Sequence, residues 1–189
     1  MALPYSAYKK KVQPELAKLS PEQLLFVGAW TAEYLDRQYG TILDGDGFAR
    51  EHEVLQNAIA FLWKGVDDPG ALAEADVRKQ LKQVRNIDID DLDFARPKDC
   101  GILKLMEAVE STLSYVKDKK ADGILMTAWF PLDVLNAQKD EQYAMNETPP
   151  KYKLDDPFFA EELGAQLKLF AYLAEGQAAS SADKTMFRQ

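Results

Sequence analysis

The sequence predicts an all-α fold, a single-domain bundle of six or seven helices spanning residues 1–189. Three observations carry that expectation. Helix-start punctuation recurs at Ser20-Pro21, Asp68-Pro69 and Asp156-Pro157, where a capping side chain precedes a proline suited to the first helical position. Apolar residues recur at steps of three and four through most of the chain. Nothing alternates strand and helix patterns in the way a parallel sheet requires.

The first clear helix begins at Ser20-Pro21-Glu22-Gln23, which supplies the Ser and Gln of a capping box. It runs through Leu24, Leu25, Phe26, Val27, Trp30, Tyr34 and Leu35, apolar over so much of its circumference that it belongs at the centre, and Gly40 is expected to end it. Asp44-Gly45-Asp46-Gly47 reads as a turn whose aspartates cap the next helix. That helix carries the stripe Val54, Leu55, Ala58, Ile59, Leu62 and Trp63 and is expected to close at Gly65. From Asp68-Pro69 a surface helix follows, with a narrow apolar face and its basic residues late, as the helix dipole favours.

Asn86 to Asp93 alternates apolar and acidic residues, the one strand-like pattern in the chain, and is read as an ordered loop. Beyond Pro97, the residues Ile102, Leu105, Met106, Val109, Leu113 and Val116 form one helical stripe, and Ile124, Leu125, Ala128, Trp129, Leu132 and Leu135 form another. Pro131 is expected to kink the second. A polar loop at about 139–154, containing Pro149-Pro150, connects to a last helix through Phe158, Phe159, Leu163, Leu167, Phe170 and Leu173. After about residue 176 the chain is small and polar and is expected to fray.

The chain has 23 basic and 31 acidic side chains, a net charge of −8. Such a balance repels phosphate backbones, so a nucleic-acid partner is excluded, while a basic protein partner is favoured electrostatically. One cysteine, Cys100, forbids an intramolecular disulfide, and the N-terminal residues lack the apolar run of a signal peptide. No stretch approaches the roughly 20 apolar residues of a membrane helix. The expected location is cytoplasmic, with no membrane association.

Chemistry is limited by a single histidine, His52. His52-Glu53-Val54-Leu55-Gln56 follows the helical zinc-protease pattern until Gln56 stands where the second histidine should be. A di-iron site needs two Glu-x-x-His units and finds none. His52 is therefore expected at the surface near a helix start, between Glu51 and Glu53. Calcium binding at Asp44 fails because Ala49 and Leu55 occupy the glycine and glutamate positions of an EF-hand loop. Cys100 reads as a buried structural thiol, and Trp30, Trp63 and Trp129 as core. The sequence thus nominates no catalytic residue, no metal and no cofactor. It nominates an acidic partner-binding set: Asp88, Asp90, Asp91 and Asp93, joined by Asp44, Asp46, Glu51 and Glu53 if the fold brings the loops together.

Three stretches carry a family resemblance. Phe26 to Tyr34 leads through Tyr39 and Gly45-Asp46-Gly47 to Leu55–Trp63; Asp90 to Phe94 precedes Asp99-Cys100 and the helix Leu103 to Leu113; and Asp156-Pro157 is followed by Glu161 and Gln166. On these the chain resembles the YjaG-like family of small, all-helical bacterial proteins of unknown function. The resemblance implies a helical fold in a bacterial cytoplasm and brings no catalytic residues. The chain is also similar, more distantly, to helical toxin-immunity proteins.

Two functional readings follow. The first is a non-enzymatic acidic binding module, most concretely an immunity-type protein that neutralises a cognate bacterial toxin. The alternative is a small-ligand or enzymatic protein with a carboxylate-lined pocket between helices, using Glu33, Asp99 or His52. Homo-oligomerisation stays open at this stage.

Overall fold

The structure, a computed structural model, describes residues 3–45, 47–143 and 152–188. These form an all-α bundle with no strand among the described residues. In chain order the helices are α1 (Tyr5–Leu16), α2 (Pro21–Leu35), the short α3 (Thr41–Gly45), α4 (Ala49–Asp67), α5 (Glu74–Arg85), α6 (Pro97–Asp118), α7 (Asp122–Tyr143) and α8 (Pro157–Ala174). Seven of them have 12 residues or more, as the apolar periodicity requires.

The capping chemistry works as its residues dictate. Ser20 accepts from the Gln23 backbone N–H while the Gln23 side chain accepts from that of Ser20, completing the capping box of α2. Asp156 caps α8 by accepting from the Phe158 N–H at 3.0 Å. Asp68 caps a 3-10 turn at Pro69–Ala71, and α5 starts only at Glu74. The preceding helix α4 runs two residues past Gly65, whose missing Cβ leaves room for the Leu72 side chain.

Helix α6 is the packing centre. It lies against α2, α5 and α7, and the three residues between α6 and α7 include Lys119 in the left-handed region at φ 57°. Its stripe Ile102, Leu105, Val109 and Leu113 is fully buried. Trp30, Trp63 and Trp129 are core residues, at 0%, 6% and 6% exposure. Helix α5 buries only Val77, Leu81 and Val84, the narrow face expected of a surface helix. Helix α7 continues through Pro131 to Tyr143, so Lys139 to Tyr143 are helical rather than loop. The 144–151 part of the expected loop lies outside the described residues.

Three expectations are corrected, and one helix is added that the sequence did not announce. Residues 5–16 form α1, although Pro14 and three consecutive lysines conceal it; one stripe of Tyr8, Val12 and Leu16 is buried against the rest. Gly40 does not end the second helix, because a π-helical turn, Asp36–Gly40, leads directly into α3. Asp44 does not cap α4, whose N-cap is Phe48 without a side-chain bond; its carboxylate is held by His52. Residues 177–188 do not fray. They form a strap that returns over α2, α4 and α8, because Ser181, Lys184 and Arg188 find carboxylates there and the Trp30 indole N–H donates to the Met186 carbonyl at 2.8 Å.

Close helix approach rests on glycine at one crossing. A Cβ on Gly28 of α2 would lie 2.5 Å from Thr112 of α6 and 3.0 Å from Ile124. Gly28→Ala should therefore destabilise the fold by about 1–3 kcal/mol through overpacking. Gly164→Ala on α8, where the new Cβ meets nothing within 4 Å, should instead stabilise it by about 0.5–1 kcal/mol. Urea titration of both variants checks this, and equal effects would contradict the assigned crossing.

Candidate functional site

The corner where α2 passes into α3 and α4 gathers the chain's only histidine. The π turn places Asp36 beside the first turn of α4, and α3 places Asp44 on the other side. His52 Nδ1 lies 2.8 Å from Asp44 Oδ1, and Nε2 lies 2.9 Å from Asp36 Oδ1. Each ring nitrogen that carries a proton can donate to one of these carboxylates, so the clamp favours the imidazolium. Gly40 packs against this clamp so closely that a Cβ there would sit 2.6 Å from His52 Nε2.

His52 is 3% exposed, which corrects the expected surface position. The physical reason is that two carboxylates neutralise it in place. Burial pulls its pKa down, but hydrogen bonds donated to Asp44 and Asp36 and their negative charge outweigh burial, so the net shift is upward. The Asp36 pKa is also raised, by burial first, against the opposing pull of His52.

Beside Asp36 opens a cleft of about 700 Å³ between α2, α4 and the strap. Ile59 and Trp63 line it, and the Trp63 indole donates to Glu33 Oε2 at 3.0 Å. Lys184 of the strap pairs with Glu33 Oε1 at 3.1 Å. At the other end, Asp67 accepts from the Ser181 backbone N–H at 2.8 Å and hydroxyl at 2.5 Å, bonds that lower its pKa. Glu33 is thus in a concave site, as the pocket reading expects. Asp99 is not: it is 1% exposed and forms an ion pair with Arg96 Nε at 3.0 Å.

The nominated acidic set divides. Asp88, Asp90, Asp91 and Asp93 are all exposed on the α5–α6 loop, while Ile89 between them is 4% exposed and anchored in the core. The loop is shaped by its own acids: Asp88 accepts from the Asp90 N–H at 3.2 Å and Asp93 from the Ala95 N–H at 3.1 Å. Glu51 shares a crevice with Asn86 and Ile87, so α4 meets the start of this loop, and Glu53 is exposed one residue past His52. Asp44 is engaged with His52, though half of its side chain stays accessible. Asp46 lies outside the described residues. Cys100 is half-buried, and burial raises its thiol pKa, which disfavours the reactive thiolate.

A second buried charge escaped sequence reading. Glu162 of α8 pairs with Arg188 of the strap, accepting from Nη2 and, at 3.1 Å, from Nε. Gln166 donates to Glu162 Oε1 at 2.7 Å and to the Ala128 carbonyl at 2.8 Å, while accepting from the Tyr8 hydroxyl at 2.8 Å. The only signal for Glu162 was a carboxylate at a position where the α8 stripe calls for an apolar side chain. Comparison with family models, with curated proteins and with solved structures finds no match to this chain.

A pH dependence follows from the clamp. Because the folded-state pKa of His52 lies above its unfolded value, the stabilisation is fully present below about pH 6.5 and is lost as pH rises through the folded value. Chemical denaturation should show stability falling from pH 6 to 9 in the wild type, with a shallower fall in His52→Asn. Identical profiles would show that His52 is not the titrating group.

Proposed function

We propose that the protein is a non-enzymatic binding module that docks a basic protein through its acidic loop, most concretely an immunity-type protein that covers the basic site of a bacterial toxin. The observation that carries this reading is the loop itself. Four carboxylates point to solvent from a backbone pinned by Ile89 in the core and by the two Asp-to-backbone bonds. A surface fixed before binding loses little entropy on docking, and its charge steers a cationic partner. The net charge of −8 adds to that field.

The side chains best suited to acid–base chemistry support a non-enzymatic role. Both nitrogens of His52 lie within hydrogen-bond distance of a carboxyl group and its side chain is buried, which turns the ring away from a substrate. The Cys100 thiol is held in its unreactive form. One observation favours the second reading: the cleft beside Asp36 is concave, carries Glu33, and has one carboxyl with a raised pKa. A small ligand seated there would shift the Trp63 fluorescence, whereas a docked protein on the α5–α6 loop would leave it unchanged.

The test starts with capture of a binding protein from a bacterial lysate at low salt. Its association rate is then measured with wild type and with a variant carrying Asp88→Lys, Asp90→Lys, Asp91→Lys and Asp93→Lys. The expected result at low ionic strength is a slowing of about tenfold or more, shrinking as salt is raised. An unchanged association rate at low salt would remove the loop from recognition.

A further inference from the structure

We propose that the strap, residues 177–188, is a removable occupant of a guanidinium-binding cage, and that the cage takes an arginine side chain from another polypeptide when the strap lifts. This inference does not depend on the acidic loop.

The cage is built for one chemical group. The Arg188 guanidinium lies over the rings of both Trp30 and Tyr34, with Cζ 3.3 Å and 4.2 Å from their centroids. Glu162 meets the fork from one edge through Nε and Nη2, and the Trp30 carbonyl accepts from Nη1 at 3.3 Å. A planar donor fork, two flat aromatic faces and a carboxylate together select guanidinium over ammonium, because only the former stacks and donates in two parallel directions at once. The Gln166 side chain, donating to Glu162 Oε1, holds the carboxylate ready from the body of the bundle rather than from the strap.

Three features make the strap separable. Among the described residues, its backbone–backbone hydrogen bonds stay within the strap or reach only the end of α8, so it is held to α2 and α4 through side chains. Phe187, beside the anchoring arginine, stands in the left-handed region at φ 63° and is 41% exposed. A bulky residue adopts that conformation only where its neighbours impose it, so the cage bends the strap to fit. A cavity of about 280 Å³ at Tyr34, Glu161, Glu162 and Phe187 opens onto the guanidinium and gives an incoming side chain a route. Glu161, exposed on α8 at this opening, adds a second negative charge on that route.

The test uses the full chain with Arg188→Ala, followed through the indole N–H resonance of Trp30, and two probes, methylguanidinium and methylammonium chloride at millimolar concentration. The expected result is a shifted resonance in the variant that methylguanidinium returns saturably towards its wild-type position and methylammonium does not. Adding Glu162→Gln to the variant should abolish that response. An unaltered resonance in Arg188→Ala, no saturable response, or equal responses to the two cations would overturn the proposal. Native-state hydrogen exchange on the wild type covers the case in which Arg188→Ala does not fold. Amides of 177–188 should exchange about tenfold or more faster than those of α2 and α8, as a separately opening unit does. Exchange of strap and helices at one common rate would show that the strap does not lift.

Discussion

Glu162 is 6% exposed where α8 meets the strap, and a carboxylate in that setting costs several kcal/mol unless it is both paired and hydrogen-bonded. Everything around it answers that requirement. Arg188 supplies the opposite charge, Gln166 supplies a neutral donor, and through Gln166 the network reaches the Ala128 carbonyl on α7 and the Tyr8 hydroxyl on α1. Arg188 also stacks on Trp30 of α2. One buried charge therefore ties four helices together with the strap, and lifting the strap leaves Glu162 in need of another cation. The high Tyr8 pKa has the same origin, burial first and the nearby Glu162 charge second.

The His52 clamp repeats the device just beyond the C-terminal end of α2. There a buried cation is neutralised by two carboxylates from the π turn and α3. The two clusters explain how the chain distributes its chemistry. Its only histidine and a buried carboxylate each hold neighbouring elements together through ion pairs.

The helices were legible because they obey local rules. Ser20-Pro21-Glu22-Gln23 and Asp156-Pro157 mark starts through contacts within one turn, and the α6 stripe is a property of spacing alone. Helix α1 was not legible. Its polar residues and Pro14 argue against a helix, and it forms because Tyr8 packs tilted against Trp129 at 5.1 Å, a contact across more than a hundred residues. The strap was misread for the same reason. Small polar residues with no stripe resemble a frayed end, yet Ser181 reaches Asp67 and Arg188 reaches Glu162. The acidic loop was visible in its alternating pattern, and Ile89 turned inward as that pattern implies. His52 was placed at the surface because its neighbours Glu51 and Glu53 are polar, while the partners that bury it, Asp36 and Asp44, come from preceding turns.

The non-enzymatic role proposed for this chain depends on His52 holding structure rather than exchanging protons with a substrate. Nitrogen-15 NMR of the His52 side chain tests it most directly. The expected result is a titration midpoint above the ordinary histidine value, with both ring nitrogens protonated on its acid side. A midpoint at or below the ordinary histidine value would contradict it and make His52 and the cleft beside Asp36 a candidate reactive site.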